Sequence, residues 1–167
     1  LVMGVPSGFE RVLTTKPYYR SGYVIVRPTQ RALSFASYDD PRLKDLKIGI
    51  HVTGKDGSNS PPAHALGKHG LDKNMVGYSM WGEASEKNPQ GKVVDAVSQG
   101  VIDLAIVWGP FGGYFAKPFG KALTVELAPT DPLLEDMPFA YDISMGVRKE
   151  DTPLAEKLNN SLQRRQG

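Results

Sequence analysis

The residues of this sequence best suited to chemistry or recognition lie in short loops between apolar runs. Thr53, Ser58, Asn59 and Ser60 sit in a Gly- and Ser-rich stretch just ahead of Pro61-Pro62. Backbone N–H groups at a helix start, together with the helix dipole, favour an anion or another polar acceptor. The same residues also serve as an ordinary Asn/Ser helix cap, and both readings stand. A second loop, 108–114, carries Trp108, Phe111 and Tyr114 among Pro110, Gly112 and Gly113. Aromatic side chains beside glycines at a strand end suit the wall of a binding cleft. Tyr18 and Tyr19 follow Pro17, and Tyr141-Asp142 stands near the other end of the chain. Tyrosine pairs an apolar ring with a hydroxyl, which suits a wet wall, although one of two adjacent residues in an extended segment must turn inward. Asp142 can face the same cleft or hold a backbone turn.

Catalytic chemistry has little support. The three histidines are His51, His64 and His69, and the last two stand five apart, a spacing that does not bring them to one helical face for a metal. There is no G-x-S-x-G elbow, no Walker loop and no G-x-G-x-x-G. Gly54-Lys55-Asp56-Gly57-Ser58 has the composition of a phosphate loop but the wrong spacing, and Ser7 has no histidine near it in sequence. The expectation is a protein that is not an enzyme, with no metal and no cofactor of its own.

The elements that position these loops alternate in type. Apolar runs at Leu1–Val5, Tyr23–Val26, Lys47–Val52, Val76–Trp81, Ile102–Trp108, Leu123–Leu127 and 140–147 read as strands. Between them, Pro61-Pro62 opens a helix that Gly70 stops, and Val93, Val94, Ala96 and Val97 recur at helical spacing before Gly100. Gly109–Gly113 reads as a break followed by about one turn of helix over 114–119. Thr152-Pro153 opens a last helix with Leu154, Leu158 and Leu162 on one face. Ile102–Trp108 is apolar almost without alternation, as a strand covered on both faces should be. The pattern predicts an α/β fold.

Composition narrows the function further. The 167 residues, 40% hydrophobic, suffice for a packed core, and a net charge of +2 gives no cause to invoke nucleic acid. The densest basic pair, Arg164-Arg165, suits a solvated helix end. No apolar run reaches the about 20 residues of a membrane span. The absence of cysteine excludes a disulfide framework and thiolate metal sites.

Several segments, in order, resemble bacterial solute-binding proteins of the type II periplasmic class. They are Glu10-Arg11, Pro17-Tyr18-Tyr19 with Ser21-Gly22, the strand and Gly loop at 48–57, V-V-D-A-V-S-Q-G-V-I-D-L-A at 93–105, and F-A-Y-D-I-S-M-G-V-R-K-E-D at 139–151. Within that class, N-S-P-P-A-H-A-L-G-K-H-G at 59–70 and V-W-G-P-F-G-G-Y-F-A at 107–116 resemble the XoxJ/MoxJ accessory proteins associated with quinoprotein methanol dehydrogenases. The resemblance implies a two-lobed fold with one near-complete lobe. Residues 1–26 would be a first-lobe remnant and first hinge strand, 27–137 the second lobe, and 138–167 the second hinge strand and return. Leu1–Val5 reads as a buried strand, so the first lobe is expected to extend upstream of Leu1.

The same resemblance implies a periplasmic location, no transporter role, and a partner: a pyrroloquinoline-quinone (PQQ) methanol dehydrogenase that the protein assists or activates through its interlobe cleft. Amino-acid receptors of the class carry an acid five positions after the aspartate that aligns with Asp103, where it holds the ligand's ammonium group. This chain has Trp108 there. An indole cannot neutralise an ammonium, although a cation–π contact is open to it. That departure favours a protein segment in the cleft. The alternative is an ABC-transporter receptor for a small polar or anionic solute, with Thr53 and Ser58-Asn59-Ser60 as donors.

Overall fold

The structure is a computed structural model, and it describes residues 1–52, 60–82 and 86–165. Chain order is β1 (Val2–Pro6), β2 (Leu13–Thr14), β3 (Tyr19–Pro28), β4 (Ile48–Val52), α1 (Pro61–Lys68), β5 (Met75–Ser79), α2 (Lys92–Ser98), β6 (Leu104–Trp108), α3 (Gly109–Ala116), β7 (Leu123–Leu127), β8 (Ala140–Val147) and α4 (Thr152–Gln163). The chain divides into two compact units, Gly22–Phe139 on one hand and Leu1–Ser21 with Ala140–Gly167 on the other.

In the unit Gly22–Phe139 the strand order is β7-β3-β6-β4-β5. β3 is antiparallel to β6, with Tyr23 opposite Trp108, and antiparallel to β7, with Val24 opposite Leu127. β4 runs parallel to both β5 and β6. The parallel strands require helical crossovers, which α1 and α2 supply. Period-2 alternation sends successive apolar residues to opposite faces of this sheet. Ile25, Ile48, Ile50, Leu104 and Ile106 pack on one side with Ala65 and Leu66 of α1. Val24, Val26, Ala105 and Val107 pack on the other with Val93, Val94 and Val97 of α2. Both faces are covered, which is why these strands read as unbroken apolar runs.

Gly109–Gly113 is helical, contrary to the expected break. Pro110 falls in the first turn of α3, where its missing N–H costs nothing. Gly112 is buried, and a β-carbon on it would lie 2.5 Å from Val24 Cγ2 and 3.2 Å from Val107 Cγ2. Its bare backbone therefore lets α3 lie close against the sheet.

In the other unit β8 pairs antiparallel with β1 and with β2. A bulge between Met3 and Val5 holds Gly4 at φ +82°. The side chain of Asn159 in α4 accepts a hydrogen bond from the Lys16 backbone N–H at 2.8 Å. β1 was expected to be buried, yet Val2 is 52% and Met3 59% exposed. Apolar character alone did not distinguish a strand covered on both faces from one paired along an edge.

Candidate functional site

Within the unit Gly22–Phe139 the carboxyl ends of β4 and β6 stand side by side, because the two strands are parallel neighbours. In open α/β sheets this edge is where ligands bind. β4 approaches it with His51, which is buried, and His51 Nε2 lies 3.0 Å from the carbonyl oxygen of Gln90. Burial pulls the His51 pKa below its ordinary value, and the contact with Gln90 opposes this without reversing it. The ring is a neutral, apolar-walled imidazole at neutral pH. Its edge meets Phe111 at 5.6 Å between centroids.

β6 ends at Trp108, half-buried and packed edge-on against Tyr23 at 5.4 Å, and Tyr23 meets Phe139 at 6.2 Å. The antiparallel register that sets Tyr23 opposite Trp108 brings these rings together. α3 carries a second set of aromatic rings. Phe111 stacks on Phe115 at 6.5 Å, and Phe115 meets Tyr114 edge-on at 5.0 Å. Gly91 is buried, and a β-carbon on it would lie 2.7 Å from Phe115 Cδ1, so α3 docks directly on the 3-10 turn Pro89–Gly91. Tyr114 is 70% exposed and, with Asn88, Phe115, Lys117 and Pro118, lines a depression of about 520 Å³.

Of the polar residues expected at this edge, Ser60 is placed and Thr53, Ser58 and Asn59 lie outside the described residues. Ser60 stands at the cap position of α1 and its carbonyl accepts from His64 N. Its side chain makes no capping bond, and among the described residues Ser60 Oγ is buried without a hydrogen-bond partner. A buried hydroxyl in that state costs stability, so its presence calls for a reason.

Tyr18, Tyr19, Tyr141 and Asp142 belong to the other unit. The Tyr18 backbone N–H donates to Ile143 O at 2.9 Å, and its ring meets Tyr19 edge-on at 5.0 Å. Burial raises the Tyr18 pKa, the neighbouring Tyr19 adds to this, and a backbone hydrogen bond at Gly4 opposes both. Burial also raises that of Tyr141. Asp142 accepts from Arg20 Nη1 at 3.0 Å in an exposed ion pair, and its carbonyl takes the Ser7 N–H at 2.8 Å. Its side chain thus pairs with the Arg20 guanidinium, and only its main chain bonds to Ser7.

Sequence reasoning passed over His51, Tyr23 and Asn88. A histidine closing the apolar run Ile48-Gly49-Ile50 was a usable signal for His51. Asn88, at φ +56° and ψ +53°, is the one non-glycine residue with positive φ among the described residues, and it carried no sequence signal. Among the described residues no group of three or more His, Cys, Asp and Glu is placed to hold a metal, and no helix is long and apolar enough to cross a membrane.

No family model matches the chain. It is 29% identical over 172 residues to Protein MoxJ of Methylorubrum extorquens, an alignment covering 98% of this chain and 56% of that protein. The chain thus spans little more than half the length of that relative. Among solved structures, the periplasmic binding protein XoxJ from Methylobacterium extorquens AM1 superposes with a TM-score of 0.71 at 31% identity, over 92% of this chain and 65% of that one. MxaJ from Methlophaga aminisulfidivorans MPT superposes with a TM-score of 0.75 at 26% identity, over 98% and 68%. The fold is that of the periplasmic binding proteins.

Proposed function

We propose, for a chain that is of the MoxJ/XoxJ type of type II periplasmic binding protein, a role without catalysis: it assists or activates a PQQ-dependent methanol dehydrogenase in the periplasm by engaging a segment of that enzyme. In this reading the unit Gly22–Phe139 works as the second lobe, and Leu1–Ser21 with Ala140–Gly167 as part of the first. The observation that carries the proposal is Trp108 at the carboxyl end of β6, packed against Tyr23, with α3 starting directly after it and carrying Phe111 and Phe115. Where an amino-acid receptor needs a carboxylate, this edge offers indole and phenyl surface, which suits apolar side chains of a protein partner. PQQ belongs to the partner and is not assigned to this chain.

Native mass spectrometry and pull-down of the full-length protein with the dehydrogenase test the reading. Association at micromolar levels is expected, with at least a roughly tenfold loss for Trp108→Ala, as for a central aromatic anchor. Absence of association, together with unchanged dehydrogenase activity, overturns it.

One observation favours a second reading, a receptor for a small polar or anionic solute: Ser60 Oγ, buried at the start of α1 with no hydrogen-bond partner among the described residues. A solute at 100 times its Kd would raise folding stability by about 2.7 kcal/mol, and Ser60→Ala would abolish that gain. A flat melting temperature across a broad panel of polar solutes sinks it.

A further inference from the structure

His69 ends α1 as its C-cap residue, and its side chain is only 7% exposed. Nδ1 lies 2.7 Å from Asp39 Oδ1, and Nε2 lies 3.1 Å from Asp131 Oδ2. Both ring nitrogens therefore face carboxylate oxygens, which only accept hydrogen bonds. An imidazolium satisfies both contacts by donating twice. A neutral imidazole has one N–H, and its other nitrogen would set a lone pair against a carboxylate.

The two carboxylates are not equivalent. The Asp131 side chain is 1% exposed, and its other oxygen accepts from Leu133 N at 3.0 Å, capping the 3-10 turn Pro132–Leu134. The Asp39 side chain is 80% exposed. Taking the imidazole N–H from Asp131 would leave one oxygen of a buried carboxylate unpaired and its charge uncompensated, whereas Asp39 can turn into water at small cost.

We propose that His69 is a proton-operated clasp: doubly protonated, it fastens Asp39 to the end of α1, and on losing its proton it keeps Asp131 through Nε2–H and lets Asp39 go. The titratable groups facing it are Asp39, Asp131 and the phenol of Tyr38, whose ring lies 6.0 Å from the imidazole. Burial, and then the charge of Asp131, push the Tyr38 pKa far up, so the phenol stays protonated and donates to Pro129 O at 3.2 Å. Burial of His69 works against its charged form, but the hydrogen bonds and charges of Asp131 and Asp39 outweigh it, and its pKa rises above the ordinary 6.5. A group with a raised folded-state pKa contributes stability that is complete below about pH 6.5 and lost as pH rises through the folded value. The clasp thus ties three separate stretches of chain, at 39, 69 and 131, below that point and only two above it.

Nitrogen-15 NMR of the His69 imidazole in the full chain tests this, with melting temperature followed from pH 5 to 9. We expect both nitrogens protonated at pH 6, a titration midpoint above 6.5, and a neutral form carrying its proton on Nε2. Asp39→Asn, an exposed substitution that preserves folding, should lower that midpoint by removing one charge. The melting-temperature advantage of wild type over His69→Gln should shrink with rising pH. A midpoint at or below 6.5, or a neutral form protonated on Nδ1, would overturn the proposal. Should His69→Gln fail to fold, the Asp39→Asn titration decides alone.

Discussion

Asp103 shows how a single side chain can tie two elements together. Its Oδ1 meets Arg31 Nη1 at 2.5 Å and its Oδ2 accepts from the Lys47 backbone N–H at 2.7 Å, joining the approach to β6 to the approach to β4. Burial pushes its pKa up, but the Lys47 N–H and Arg31 more than offset this and hold the carboxyl below the usual value of 3.8. A depressed pKa means stability present above 3.8 and lost as pH falls through the folded value. Asp103→Asn should cost about 1–2 kcal/mol at pH 7, because the amide still accepts from the Lys47 N–H but without the charge that strengthens that bond, while the ion pair adds little since Arg31 is nearly half exposed and solvent screens it. Urea unfolding at pH 7 and again below pH 3 checks this; the difference between wild type and variant should nearly vanish in acid. The Asp at 103 was legible in the sequence, but neither of its partners was, since Arg31 and Lys47 lie far away along the chain.

At the scale of elements, α3 carries the sharpest contrast between pattern and packing. Gly112 and Gly113 are adjacent in sequence and equal in helix propensity, and replacing either by Ala in a solvated helix would gain about 1 kcal/mol. The structure separates them. A β-carbon at Gly113 meets nothing within 4 Å, whereas at Gly112 it collides with Val24 and crowds Val107 and Val26. Gly113→Ala should therefore stabilise by about 0.5–1 kcal/mol, and Gly112→Ala should destabilise by about 1–3 kcal/mol as the helix is pushed off the sheet. Equilibrium denaturation of the two variants gives opposite signs; like signs would contradict the packing of α3. The Pro-Gly-rich run 109–113 was misread as a break because propensity is local, and the valines that reward a bare backbone there lie on β3 and β6.

At the scale of the whole molecule, the two compact units differ in how much apolar surface they bury. The unit Gly22–Phe139 holds two buried clusters, one on each face of its sheet. Within this chain the other unit has few buried apolar residues, among them Ile143, Val147 and Ala155. Local opening costs least where little apolar surface must be exposed. Native-state hydrogen exchange should find the amides of β1 and α4 exchanging at least tenfold faster than those of β4 and β6. Uniform protection across both units would show that they open as one.

The sequence by itself determined the alternation of strands and helices, the double-sided burial of β6, the start of α1 at Pro61-Pro62 and the α/β class. These follow from periodicity and from backbone chemistry that acts over a few residues. Only the tertiary structure decided that Gly109–Gly113 is helical, that His51 stands beside Phe111, that Trp108 pairs with Tyr23, and that His69 lies between Asp39 and Asp131. Each of those depends on which strands pair and on where a helix end comes to rest against distant chain. That information resides in contacts between residues tens of positions apart, and no local pattern of residue types encodes it.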